Sequence, residues 1–255
     1  MKTLILNGTT PVRLSLDGPA LAVLEPAKAA RLYPFSRIGR IVVGGRVQCE
    51  AAALARCLRQ GIPITFVAGE EGAAGVAMPL SSEAPGTARM LESFVALPRW
   101  RERYGDWKRA AERREILDVL RRLRLRAPDL RPATVAAFLM KELMRQHPGA
   151  QVERWRAAAA ALLTARIASR LAHGRMGGVL PALEGVGLRL LADFTAILEW
   201  RFYADCREWL AADPTALDGA WKSKLVALVE ERAPRDEARI QSLWDRFCYW
   251  LGGML

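Results

Sequence analysis

The chain has 255 residues, 51% hydrophobic and 25% charged, which is enough to bury a substantial core in one large or two small domains. Thirty-eight basic residues against 27 acidic ones leave a net charge of +11, a bias that favours a polyanionic partner, most often nucleic acid. An arginine-rich, lysine-poor surface is also what a GC-rich coding sequence produces. No run of about 18 apolar residues suggests a membrane span, and the Met1-Lys2 start lacks a signal-peptide core, so the expectation is a cytoplasmic protein. Cys49, Cys57, Cys206 and Cys248 have no C-x-x-C spacing and read as buried thiols.

The first 80 residues read as β-rich. Thr3–Asn7 and Arg13–Leu16 are strand-like, and Leu14–Leu16, Asp17-Gly18 and Leu21–Leu24 make a hairpin signal, because Asp-Gly supports a tight turn. A strand near Arg31–Phe35 follows. Ile41-Val42-Val43 is a buried-strand run that Gly44-Gly45 is expected to close. Ala53, Leu54, Cys57 and Leu58 then mark a helix stopped by Gly61 and Pro63, and Ile64–Val67 is a strand, completing a βαβ-sized unit. Gly69-Glu70-Glu71-Gly72 reads as a turn and Gly75–Pro79 as a last strand.

Ser81-Ser82-Glu83-Ala84-Pro85-Gly86 is the clearest linker. Beyond it the chain reads as helical: Trp107–Arg126, Thr134–Gln146, Val152–Ala172, Leu188–Ala211, Ala216–Arg232 and Arg235–Leu251. Trp107–Arg126 sets Ile116, Leu117, Leu120 and Leu123 on one face and arginines on the other, with Lys108 and Glu115 also assigned to the polar side. Ile240, Leu243, Trp244, Phe247 and Leu251 form one apolar stripe of a C-terminal core helix. The fold class is therefore α+β: a β-rich N-terminal domain with one small helix (1–80), a linker (81–88), and an all-helical, basic C-terminal domain (89–255).

The stretch Ile38–Phe66 resembles the CRISPR adaptation integrase family, the endonuclease-integrases that insert spacers into CRISPR arrays. The resemblance is carried by Ile38-Gly39-Arg40-Ile41-Val42-Val43-Gly44-Gly45, Val47-Gln48, Ala53-Leu54 and Gly61-Ile62-Pro63-Ile64-Thr65-Phe66, whose order and spacing agree over about thirty residues. It implies an N-terminal β-sandwich that serves dimerisation, a DNA-facing helical domain, partners among other CRISPR or defence-system proteins, and a role in bacterial antiviral defence.

In that family a Glu at the start of a helix joins a later His and a later acidic residue to hold Mg²⁺ or Mn²⁺. Oxygen-rich ligation suits these ions, which polarise a phosphodiester and activate the attacking hydroxyl or water. Leu180–Arg189 carries Glu184-Gly185 where the first ligand would fall, with the spacing to Arg189 off by one. A carboxylate there also has a structural reason, the dipole of a following helix. Asp193 is the candidate later acid. The only histidines, His147 and His173, both precede Glu184, so the family's Glu-then-His order is not met, and both read as structural or exposed. The family's Asn-Ala-Leu-Leu helix is missing as well.

Carboxylates alone do not repair this. Asp193, Glu199 and Asp205 are six apart on one predicted helix, and each step turns about 240°, so they share no face. Arg201 and Asp205, with Glu208 beyond, read as an i, i+4 surface pair. There is no phosphate loop, no G-x-S-x-G elbow and no G-x-G-x-x-G.

Three functions stay open. The first is a dimeric DNA-binding or scaffold relative of the integrase without nuclease activity and with no cofactor. Ten basic against five acidic residues in Arg101–Arg126 would contact phosphates through Arg109, Arg113, Arg114, Arg121, Arg122 and Arg124. The second is an active Mg²⁺- or Mn²⁺-dependent endonuclease/integrase with Glu184 catalytic and Glu184 and Asp193 on the metal. The third is a basic scaffold for an acidic protein partner.

Overall fold

The computed structural model describes residues 2–67, 73–80, 86–145, 149–212 and 221–255. The chain forms two compact units, neither contiguous in sequence. The first is Met1–Glu92 with Ala161–Leu191, the second Ser93–Ala160 with Ala192–Leu255.

The first unit is built on six strands: β1 (Lys2–Asp17), β2 (Ala20–Leu24), β3 (Arg31–Pro34), β4 (Ile38–Cys49), β5 (Ile64–Val67) and β6 (Ala73–Ala77). They hydrogen-bond into one mixed sheet in the order β3-β2-β1-β4-β5-β6, where the family resemblance implied two layers of a sandwich. The hairpin at Asp17-Gly18 forms as expected, with Leu16 opposite Leu21 and Gly18 at φ +53°. The helix α1 (Ala51–Arg59) links the parallel pair β4 and β5, which completes the βαβ unit.

Gly44-Gly45 does not close β4. The strand runs through them to Cys49, with Gly45 at φ +72°. Beside them β1 advances from Gly8 to Val12 while β4 advances from Gly45 to Val47, so β1 carries extra residues there. Glycine serves this bulge as well as it would serve a turn. Thr3–Asn7 and Arg13–Leu16, expected as two strands, are one strand for the same reason. Leu4, Leu6, Leu14, Leu21, Ile41, Ala53, Cys57 and Ile64 share one core, so both halves of β1 and the buried face of α1 meet.

Residues 69–72 of the expected turn and 81–85 of the expected linker lie outside the described residues. The helix α2 (Gly86–Val95) starts directly after, so residues 86–88 of the expected linker are helical. The first unit also contains the C-terminal half of α5 (Gly149–His173) and the short α6 (Leu180–Gly185). A Cβ at Gly177 would stand 2.1 Å from the Pro79 carbonyl oxygen, so the backbone approach between these segments requires glycine.

The second unit is helical: α3 (Trp100–Leu123), α4 (Pro132–Met144), the first half of α5, then α7 (Leu190–Glu199), α8 (Arg201–Ala212), α9 (Trp221–Glu231) and α10 (Ala233–Gly252). The helix expected over Leu188–Ala211 is two helices, interrupted at Trp200, whose indole N–H donates to Glu112 at 3.1 Å. The stripe Ile240, Leu243, Trp244, Phe247 and Leu251 of α10 is buried as expected. It meets an aromatic core in which Trp107 lies 4.8 Å from Phe247 and 5.8 Å from Phe194, and Phe94 lies 5.2 Å from Trp250. Among the described residues no helix is long and apolar enough to cross a membrane.

Candidate functional site

The helix α3 buries Trp100, Tyr104, Glu115, Ile116, Val119 and Leu120. Opposite them, Arg103, Asp106, Ala110, Arg113, Leu117, Arg121 and Arg124 follow one another at steps of three and four, and all are exposed. That spacing keeps them in a single line along the helix. Arg109 and Arg114 flank the line and are exposed too. From Arg103 to Arg124 the line runs about 30 Å at about 1.5 Å per residue.

Its charge is only partly spent within the protein. Arg109 donates to Asp106 at 2.5 Å, and Arg121 stands 3.9 Å from Asp118 with its side chain 80% exposed. Arg113 and Arg114 make no ion pair among the described residues. Arg124 closes the helix in the left-handed region at φ +55°, its N–H donating to the Arg121 carbonyl and the Leu125 N–H to that of Leu120. Glycine is the usual residue at this position, so an arginine there carries backbone strain.

Arg122 belongs elsewhere. Its guanidinium lies on the inner side of α3, donating to Glu208 at 2.7 and 2.5 Å and pairing with Asp205 at 2.8 Å. Burial works against its charge, but the hydrogen bond to Glu208 and the charges of Asp205 and Glu208 hold its pKa above the ordinary value. Arg232 reaches the same acids at 2.7 and 3.6 Å. Arg201 does not pair with Asp205 along its own helix. It donates to Glu115 at 2.8 Å and reaches Asp118 at 2.9 Å. Glu115 is thus buried and cross-linked rather than on the polar face. The surface i, i+4 reading of Arg201, Asp205 and Glu208 gives way to a network that binds α3 to α8.

The candidate metal ligands are each engaged or placed otherwise than expected. Glu184 is exposed in the last turn of the six-residue α6, and α7 begins only at Leu190, so the carboxylate sits at a helix C-terminus instead of ahead of an N-terminus. Asp193 is in the first turn of α7 in the second unit, where Tyr104 donates to one carboxylate oxygen at 2.9 Å and Lys108 to the other. His173 closes α5, its Nδ1 hydrogen-bonded with the Ser169 carbonyl at 2.6 Å. His147 lies outside the described residues. Among the described residues no three His, Cys, Asp or Glu side chains group to hold a metal ion, and the groups around Asp193 do not fit a divalent cation.

The basic helix is legible in the sequence, and its three-and-four spacing also supplies Arg103, a sixth outward arginine beyond the five expected ones that face solvent. Tyr104 and Lys108 leave no such signal as partners of Asp193, since residues more than eighty apart are joined only by the fold.

A mixed sheet with one small helix, followed by a basic helical region, is an α+β architecture, and it is found in solved structures across nearly the whole chain. A Cas1 protein from Thermotoga maritima superposes with a TM-score of 0.73 at 14% identity, covering 99% of this chain and 97% of that one. TtCas1 in complex with DNA gives 0.59 at 14% identity, covering 95% and 91%. A casposase bound to its integration product gives 0.58 at 12% identity, covering 83% and 73%. The model of the family CRISPR associated protein Cas1 matches residues 8–146, more than half of the sequence. The chain belongs to the Cas1 family, the CRISPR-associated integrases of spacer acquisition. No curated protein matches it.

Proposed function

We propose that this Cas1-family chain is a dimeric DNA-binding or scaffold subunit of CRISPR adaptation that has lost nuclease activity. The observation that carries the reading is the exposed line of α3, where Arg103, Arg113, Arg121 and Arg124 share a face about 30 Å long with Asp106 as its one acid. That length approaches one turn of duplex. Arg109, Arg113, Arg114, Arg121 and Arg124, with Arg103, contact phosphates, while Arg122 holds the helix in place. Phosphate contacts of this kind position a duplex without reading its sequence. TtCas1 was solved with DNA and the casposase with an integration product, which supports the same partner here.

The dimer partner is a second copy, meeting the exposed β2–β3 edge of the first unit's sheet. Leu24 and Leu32 are 37% and 55% exposed there, and the strand register sets both on the side opposite the core. The protein works in the cytoplasm, with other CRISPR or defence-system proteins as further partners.

The test is binding to branched and linear duplexes at two salt concentrations, with Mn²⁺ in half of the samples. Salt-sensitive binding without cleavage is expected. Cleavage or strand joining abolished by Glu184→Ala would contradict the loss of activity. Absence of binding at low salt would contradict the DNA reading and leave a scaffold for an acidic protein.

A further inference from the structure

Asp193 is the one candidate metal ligand set in an enclosed place, and both of its oxygens are already used. Tyr104 donates to Oδ2 at 2.9 Å, and the Lys108 ammonium donates to Oδ1. Tyr104 and Lys108 are four residues apart on α3, so successive turns of one helix present both donors to one carboxylate. The Asp193 side chain is 14% exposed and that of Lys108 36%, which sets the pair at the edge of the aromatic core. Trp107 stacks on Tyr104 at 5.8 Å and also packs against Phe194, the neighbour of Asp193.

A divalent ion needs several oxygen ligands carrying net negative charge. Here one carboxylate is neutralised by an ammonium, its second oxygen is filled by a hydroxyl, and an added dication would face Lys108 at close range. Water can complete a coordination shell, but it cannot remove that repulsion.

We propose that Lys108 is the resident cation of this site, standing beside Asp193 where the family's integrase chemistry calls for a divalent ion. Asp193 then clamps α7 to α3 and is a positioning residue, not a ligand. The same ion pair fixes the turn of α3 from which the arginine line continues, so phosphate binding proceeds without metal. This deepens the reading of a nuclease-inactive DNA-binding subunit and rests on it for the phosphate-binding clause alone.

The experiment titrates Mn²⁺ into the full chain without DNA and reads paramagnetic broadening of the Asp193 and Tyr104 amides by NMR. The wild type is expected to show none. Lys108→Ala keeps the Tyr104 hydrogen bond but frees one oxygen and its charge, and is expected to gain broadening that Lys108→Ala/Asp193→Asn loses. Broadening in the wild type that Asp193→Asn removes would overturn the proposal. So would a Lys108→Ala variant that folds, by its amide spectrum, and shows no broadening. A separate arm compares duplex affinity in EDTA and in Mn²⁺. Equal affinity is expected, and binding that EDTA abolishes would overturn the metal-free clause. A complete failure to bind duplex would count against the proposed function and leave the Mn²⁺ result readable.

Discussion

Arg201 donates its Nε–H to Glu115 at 2.8 Å across the α3–α8 packing, and the same guanidinium reaches Asp118 at 2.9 Å. Glu115 is buried, with Arg246 at 3.9 Å as its other cation. Removing Arg201 leaves a buried carboxylate with one distant partner. Arg201→Ala is expected to destabilise the protein by about 3 kcal/mol, because an uncompensated buried charge is worse than no pair at all. Urea denaturation monitored by tryptophan fluorescence measures it. Arg201→Ala/Glu115→Gln should recover part of the loss, and failure to do so would show that the cost lies in packing rather than charge.

On the proposed function, Arg124 sets stability against binding. Its φ of +55° is a conformation that glycine adopts freely and arginine does not. Arg124→Gly is expected to raise stability by about 1 kcal/mol while weakening duplex binding. Thermal melting and fluorescence anisotropy on the same sample read the two signs. A variant that gains stability and keeps full affinity would remove Arg124 from the interface.

Cys57 and Cys206 are fully buried, and burial pushes their thiols up, to about 11 and about 12 from 9.0. Neutral thiols are therefore favoured in the folded state. Their contribution to stability is complete below pH 9, falls as the unfolded thiols ionise, and is lost as pH rises through the folded values. Stability should decline between about pH 9 and pH 12, and Cys57→Ser/Cys206→Ser should flatten that decline whatever its own starting stability. Thiol reagents at about pH 8 should leave both residues unmodified until the protein is denatured.

Much of the fold is legible because it is local. The Asp17-Gly18 hairpin, the βαβ unit from Ile41 to Val67 and the apolar stripe of α10 all follow from turn chemistry and periodicity within a few residues. Gly44-Gly45 misleads because a bulge and a turn ask the same thing of the backbone. The site is less legible. The exposed arginines follow from the periodicity of α3, but the inward turn of Arg122 depends on Asp205 and Glu208 on α8. The engagement of Asp193 by Lys108 depends on the packing of α3 against α7. Long-range ion pairs leave no mark in a sequence, since each partner alone looks like an ordinary surface charge.

On the proposed function the outward arginines of α3 hold DNA, while the inward Arg122 pairs with Asp205 and Glu208 and holds the fold. The salt dependence of duplex affinity for the wild type, Arg114→Ala/Arg121→Ala and Arg122→Ala tests this division most directly. Removing one phosphate-bound cation makes the slope of log K against log salt shallower by about 0.9. The double variant should therefore show a slope shallower by about two. Arg122→Ala should keep the wild-type slope and melt at a lower temperature. An unchanged slope in the double variant, or an equally shallow one in Arg122→Ala with stability intact, would contradict the division.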